Sequence, residues 1–173
     1  MGEMKVFGID ESTTQSIKEE ERVIAFMLND ELIGINIKNV TKITKKLDIS
    51  PVPKTPEYII GVMNLRGNIV PVVNLKKMLD LPKSDTIDQE YILIIDTEIG
   101  NIGLMIDKVV GAITIENEEI LPAPINSIGI DTKYVIGVII TDQEEKEHSK
   151  RNLLILLDTD KLFNKKEIQE NQE

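Results

Sequence analysis

Apolar residues in this chain fall in short runs, bounded by Gly, Asn, Asp and Pro rather than spaced at helical intervals. VIAFML (Val23 to Leu28), the turn Asn29-Asp30 and LIGINI (Leu32 to Ile37) predict a hairpin. Val40 to Lys45 continues as a strand, with Val40 and Ile43 apolar, and ISPVPKTP (Ile49 to Pro56) is an extended proline connector. The longest such pattern is YIIGVMNLRGNIVPVVNL, Tyr58 to Leu75, two apolar runs around the polar tip Asn64-Leu65-Arg66-Gly67-Asn68. It predicts two strands and a tight turn, with Gly67 supplying a positive φ. Pro71 inside the second run suggests an edge strand or a bulge. Lys76 to Leu79 reads as one helical turn stopped near Pro82.

The second half repeats the pattern. YILIID (Tyr91 to Asp96), a turn around Gly100-Asn101, IGLMID (Ile102 to Asp107) and Lys108 to Ile115 read as strands. The proline connector ILPAP (Ile120 to Pro124), YVIGVII (Tyr134 to Ile140), a charged loop from Asp142 to Asn152 and LLILLD (Leu153 to Asp158) follow. A terminal helix starts at a cap on Asp158 or Thr159. Ile33-Gly34-Ile35 matches Ile102-Gly103-Leu104, Pro51-Val52-Pro53 matches Pro122-Ala123-Pro124, Tyr58 to Val62 matches Tyr134 to Val138, and Val72-Val73-Asn74 matches Leu156-Leu157-Asp158. The separation only widens, from 69 positions (Ile33 to Ile102) to 84 (Val72 to Leu156), and each step fits in a loop. Two copies of one unit are implied, each with about five short strands, the size of a small β-barrel. Gly61 and Gly137 lie mid-strand in both copies, where glycine marks a bend or a close backbone approach. Two barrels side by side leave a groove between them.

Composition narrows the chemistry. With 173 residues, 41% apolar and 29% charged, the chain suits one soluble domain or two small ones. There is no Cys, which removes disulfides, thiolate metal sites and thiol nucleophiles. A formal charge of −10 and 3% aromatics oppose nucleic-acid binding, which wants positive grooves and stacking faces. No apolar segment has the length of a signal peptide or a membrane span, so a cytoplasmic protein without membrane insertion is expected. His148, the only histidine, sits in a Glu/Lys loop with no acid/base partner or convergent ligands, so it reads as solvated. No phosphate loop, nucleophile elbow or calcium loop is present, so neither an enzyme, a cofactor nor a metal is expected. Arg66 sits at the hairpin bend, where a guanidinium faces water, a carboxylate or a partner, because unpaired burial is too costly. By turn position alone it reads more readily as a solvated loop charge than as a contact, although loops also carry function. Val40 and Ile43, taken alone, read as core positions on a half-buried strand.

GVMNLRGNIVPVVNL (Gly61 to Leu75), preceded by PVPKTPEYI and followed by IGLMIDKVVGAI (Ile102 to Ile113), resembles the CheW family of chemotaxis coupling proteins over about residues 22 to 163. The resemblance implies an all-β fold of two pseudo-repeated five-stranded SH3-like barrels packed together, with a short helical turn and a C-terminal helix. Residues 1–21 would be a flexible tail, 22–163 the CheW-like domain and 164–173 a helical tail. It implies a non-catalytic adaptor, recruited to receptor arrays, that bridges the histidine kinase CheA to the cytoplasmic tip of methyl-accepting chemoreceptors. The alternative is a CheA-type regulatory module or a coupling protein of another two-component pathway. By position, Arg66 with Leu65, Gly67 and Lys42 would face the receptor, and Ile37, Val40 and Ile43 the kinase. Two residues depart from the family pattern. Many relatives carry an acid where Lys42 stands, able to pair with the tip arginine, and an Asp where Asn74 stands.

Overall fold

Asn29 and Asp30 turn the chain between β1 (Glu20–Leu28) and β2 (Glu31–Asn36), with Asn29 at a φ of 54°. This computed structural model describes residues 19–83, 89–124, 128–141 and 153–164. The first described strand begins at Glu20, two residues before the expected Arg22. The predicted acidic tail up to residue 18, the charged loop with His148, and the C-terminal helical tail beyond residue 164 lie outside the described residues, while Glu20 and Glu21, placed in that tail, belong to β1. The remaining strands are β3 (Val40–Lys45), β4 (Ile59–Leu65), β5 (Asn68–Asn74), β6 (Tyr91–Thr97), β7 (Gly100–Ile106), β8 (Lys108–Glu116), β9 (Val135–Ile140) and β10 (Leu153–Leu157). Two single helical turns, α1 (Leu75–Met78) and α2 (Thr159–Leu162), follow β5 and β10.

The strands form two five-stranded sheets, ordered β8-β1-β2-β10-β9 and β3-β6-β7-β5-β4. The sheet count agrees with the repeat, but the membership does not follow the halves of the sequence. Each sheet takes two consecutive strands from one half and three from the other. The crossing point is local. Asn36 ends β2 and its side chain accepts from the Lys38 N–H at 2.9 Å, capping a 3₁₀ turn (Ile37–Asn39) that sends β3 to the second sheet. In the other half Asp107 stands between β7 and β8, and β8 joins the first sheet.

Each sheet is closed by one antiparallel bridge from the proline connector, Ser50 to Val62 and Leu121 to Val138. This is the reason for the repeated mid-strand glycines. A Cβ on Gly61 would lie 2.2 Å from the Ser50 carbonyl oxygen, and one on Gly137 would lie 2.6 Å from that of Leu121. Two local expectations are corrected. Pro71 lies on β5, an inner strand, and β5 has no bulge there. The parallel ladder of β5 with β7 starts one residue later, at Val72, so the missing N–H falls outside it. The turn between β6 and β7 is Glu98-Ile99, not Gly100-Asn101, because Thr97 already pairs with Gly100.

Three apolar clusters hold the molecule. Val23, Ala25, Met27, Leu154 and Leu156 fill the first barrel, and Met63, Val70, Val72, Ile92 and Ile94 fill the second. The largest lies between the barrels and takes Phe26, Leu28 and Ile33 from one sheet and Leu93, Ile95 and Leu104 from the other. Alternate residues of β1 and β6 thus enter different clusters, so these strands are buried on both faces and read as unbroken apolar runs. Full burial of one such Leu, Ile or Phe contributes roughly 1.5–3 kcal/mol relative to exposure.

Candidate partner-binding surface

The β4–β5 hairpin ends in the two-residue turn Arg66-Gly67, with φ of 51° and 87°. Positive φ at both central residues is the turn that matches strand twist, which explains glycine at the second position. Asn64 braces the turn, its Oδ1 accepting from the Gly67 N–H at 2.8 Å. The Arg66 side chain is thrown into solvent, while Leu65 is half-buried against the second barrel's interior. Arg66 is thus exposed on a rigid mount, as its position in the sequence requires.

Lys42 is half-buried on β3, opposite Ile94 of β6. Neither Lys42 nor Arg66 forms an ion pair among the described residues. The other three candidates divide. Ile37 and Val40 are half-buried and lie against the inter-barrel cluster, whereas Ile43 is 37% exposed. A β-bulge between Val40 and Lys42 interrupts the alternation along β3, setting Val40 opposite Ile95 and Ile43 opposite Leu93 of β6. Asn74 caps the start of α1. Its Oδ1 accepts from the Lys77 N–H and from Gln89 Nε2, both at 3.3 Å, and Asp158 caps α2 in the same way from the other half.

A buried ion pair escaped the reading of the sequence. Lys76 Nζ lies 2.7 Å from Asp107 Oδ1, with both side chains nearly closed to solvent. Asp107 Oδ2 also accepts from the Asn29 N–H at 2.7 Å. This contact ties α1, the β1–β2 turn and the β7–β8 crossing, and therefore the two barrels. The one signal in the sequence was an Asp closing the apolar run IGLMID. Among the described residues no cluster of His, Asp or Glu could hold a metal ion, and no helix is long and apolar enough to cross a membrane.

The CheW-like domain family model matches residues 22–167. The chain is 33% identical to Chemotaxis protein CheW of Treponema pallidum over 87% of its own length and 86% of that protein. It is 32% identical to Chemotaxis protein CheW of Bacillus subtilis over 90% of its length and 95% of that protein. The crystal structure of the scaffolding protein TtCheW from Thermoanaerobacter tengcongensis superposes with a TM-score of 0.72 at 32% identity, covering 84% of this chain and 94% of that one. Two interlocked five-stranded barrels, the Asn-Leu-Arg-Gly turn and matches across nearly the whole folded length agree: this chain belongs to the CheW family.

Proposed function

We propose that the protein is a non-catalytic coupling adaptor of chemotaxis signalling, which joins the cytoplasmic tips of chemoreceptors to the regulatory domain of a CheA-type histidine kinase. The observation that carries this reading is the Arg66-Gly67 turn, exposed, braced by Asn64 and without an internal ion pair among the described residues. A guanidinium held in this way keeps its forked donors for a partner's carboxylate or carbonyl. Receptor contact is assigned to Arg66, Leu65, Gly67 and Lys42, and kinase contact to Ile37, Val40 and Ile43. Signal passes through occupancy and geometry within a membrane-associated array on its cytoplasmic side. The test is Arg66→Glu, assayed by pull-down with a soluble receptor tip fragment. Loss of most of the binding with an unchanged circular dichroism spectrum is expected. Undiminished capture of the fragment would remove Arg66 from the receptor contact.

A further inference from the structure

Charge is segregated along this chain and in its fold. Between Lys38 and Arg66 stand six basic residues, Lys38, Lys42, Lys45, Lys46, Lys54 and Arg66, against the two acids Asp48 and Glu57. That segment is net +4 in a chain of net −10, so the remainder carries −14. It contributes β3, the proline connector and β4, which together make the closing side of the second barrel. The Ser50–Val62 bridge is antiparallel, so moving back from Ser50 toward β3 follows β4 forward toward its tip. Lys45, Lys46 and Arg66 therefore lie toward the same end of this side. Five of the six cations are exposed, Lys42 is half-buried, and none forms an ion pair among the described residues.

The duplicated fold contains its own control. The bridges set Ser50 equivalent to Leu121, so Lys45 and Lys46 occupy the places of Glu116 and Asn117, with Glu118 and Glu119 following. One backbone path carries cations in the second barrel and acids in the first. The fold itself does not demand a basic face here.

We propose that this closing side of the second barrel docks an acidic, partly apolar protein surface, and that the receptor tip meets the adaptor here through charge complementarity; the inference rests on the coupling-adaptor reading above. Leu47 and Val52, each 38% exposed, are interspersed with the cations, which suits a protein partner with an apolar centre and an acidic rim. Polyphosphate partners fit less well. A remainder of −14 repels them, and the sole aromatic residue between Lys38 and Arg66, Tyr58, lies half-buried against the inter-barrel cluster.

The test uses the full chain and a soluble coiled-coil fragment of a receptor cytoplasmic tip from the same genome, with affinity measured by calorimetry from about 50 to about 300 mM NaCl. The wild-type affinity is expected to fall about tenfold over that range. Lys45→Glu/Lys46→Glu should lose about tenfold at the lowest salt and converge on wild type at the highest, while Lys161→Glu, on α2, should match wild type throughout. Should the double variant fail to fold, Lys54→Glu takes its place. Tight binding that ignores both salt and these substitutions overturns the electrostatic face and leaves the adaptor reading standing. Absence of binding by the wild type at every salt overturns the adaptor reading and this inference with it. Sedimentation of the chain alone covers the remaining occupant. Low-salt self-association abolished by Lys45→Glu/Lys46→Glu would assign the face to the acidic side of a second copy, and overturn the receptor assignment.

Discussion

Asp107→Asn should be among the most damaging single-atom changes in this protein. Lys76 Nζ and Asp107 Oδ1 are 2.7 Å apart, and the side chains are only 9% and 2% exposed. An asparagine keeps the shape and an oxygen for the Asn29 N–H, now at 2.7 Å from Oδ2. It removes the charge that balances Lys76. Breaking one side of a buried ion pair costs about 3–5 kcal/mol, because the other charge stays desolvated. Weakening the charge-assisted bond from Asn29 adds about 1 kcal/mol. Against a typical total stability of about 5–15 kcal/mol the loss is large. Urea unfolding followed by circular dichroism measures it, with a lower midpoint and an unchanged slope. Lys76→Met/Asp107→Asn should recover at least about 2 kcal/mol relative to additivity, since neither partner is then left charged. The equivalent junction of the other half is tied by a neutral contact, Asn39 Nδ2 donating to Thr159 Oγ1 at 3.3 Å, and should tolerate Asn39→Ala far better. A loss under about 1 kcal/mol for Asp107→Asn, or strict additivity in the double variant, would refute the role given to this pair.

Further expectations follow from the same geometry. Gly61→Ala would place a Cβ 2.2 Å from the backbone oxygen of Ser50, which cannot swing aside, so a loss of roughly 1–3 kcal/mol in a thermal melt is expected; an unchanged midpoint would show that barrel closure does not depend on this approach. Gly137→Ala should behave alike, because Leu121 O lies 2.6 Å from the added atom. Val40→Asp should destabilise by about 2 kcal/mol through burial of a carboxylate against the inter-barrel cluster, whereas Ile43→Asp should leave the melting temperature alone. The kinase assignment is therefore best read from Ile43→Asp in a pull-down with a CheA regulatory domain, and full binding by that variant would remove Ile43 from the contact. Asp158→Ala should cost about 1 kcal/mol by releasing the Asp160 and Lys161 N–H groups at the start of α2.

Much of this molecule was legible from local pattern. Runs such as VIAFML and YILIID became β1 and β6, and the NLRGN tip became a hairpin turn with Arg66 in solvent. The matched segments, from Ile33 to Ile102 and Tyr58 to Tyr134, revealed the duplication, because each copy must bend, cap and approach its neighbour at the same places. The sequence alone therefore determined the strands, the Asn29-Asp30 and Arg66-Gly67 turns, the duplication and an unburied arginine at the lip of one hairpin.

Which strands share a sheet was a different matter. Val23 pairs with Asn36 in its own hairpin, but also with Ile113 from the far half, and Leu32 lies parallel to Leu154. Those pairings depend on where the 3₁₀ turn after Asn36 aims β3, which no periodicity encodes. The same holds for Lys76 and Asp107, each unremarkable among charged neighbours until two barrels close around them, and for Val40, whose face is set by a bulge rather than by alternation. Local propensity specifies an element within its own few residues. Burial of a charge and membership of a sheet are properties of surfaces that meet only after long-range register is chosen.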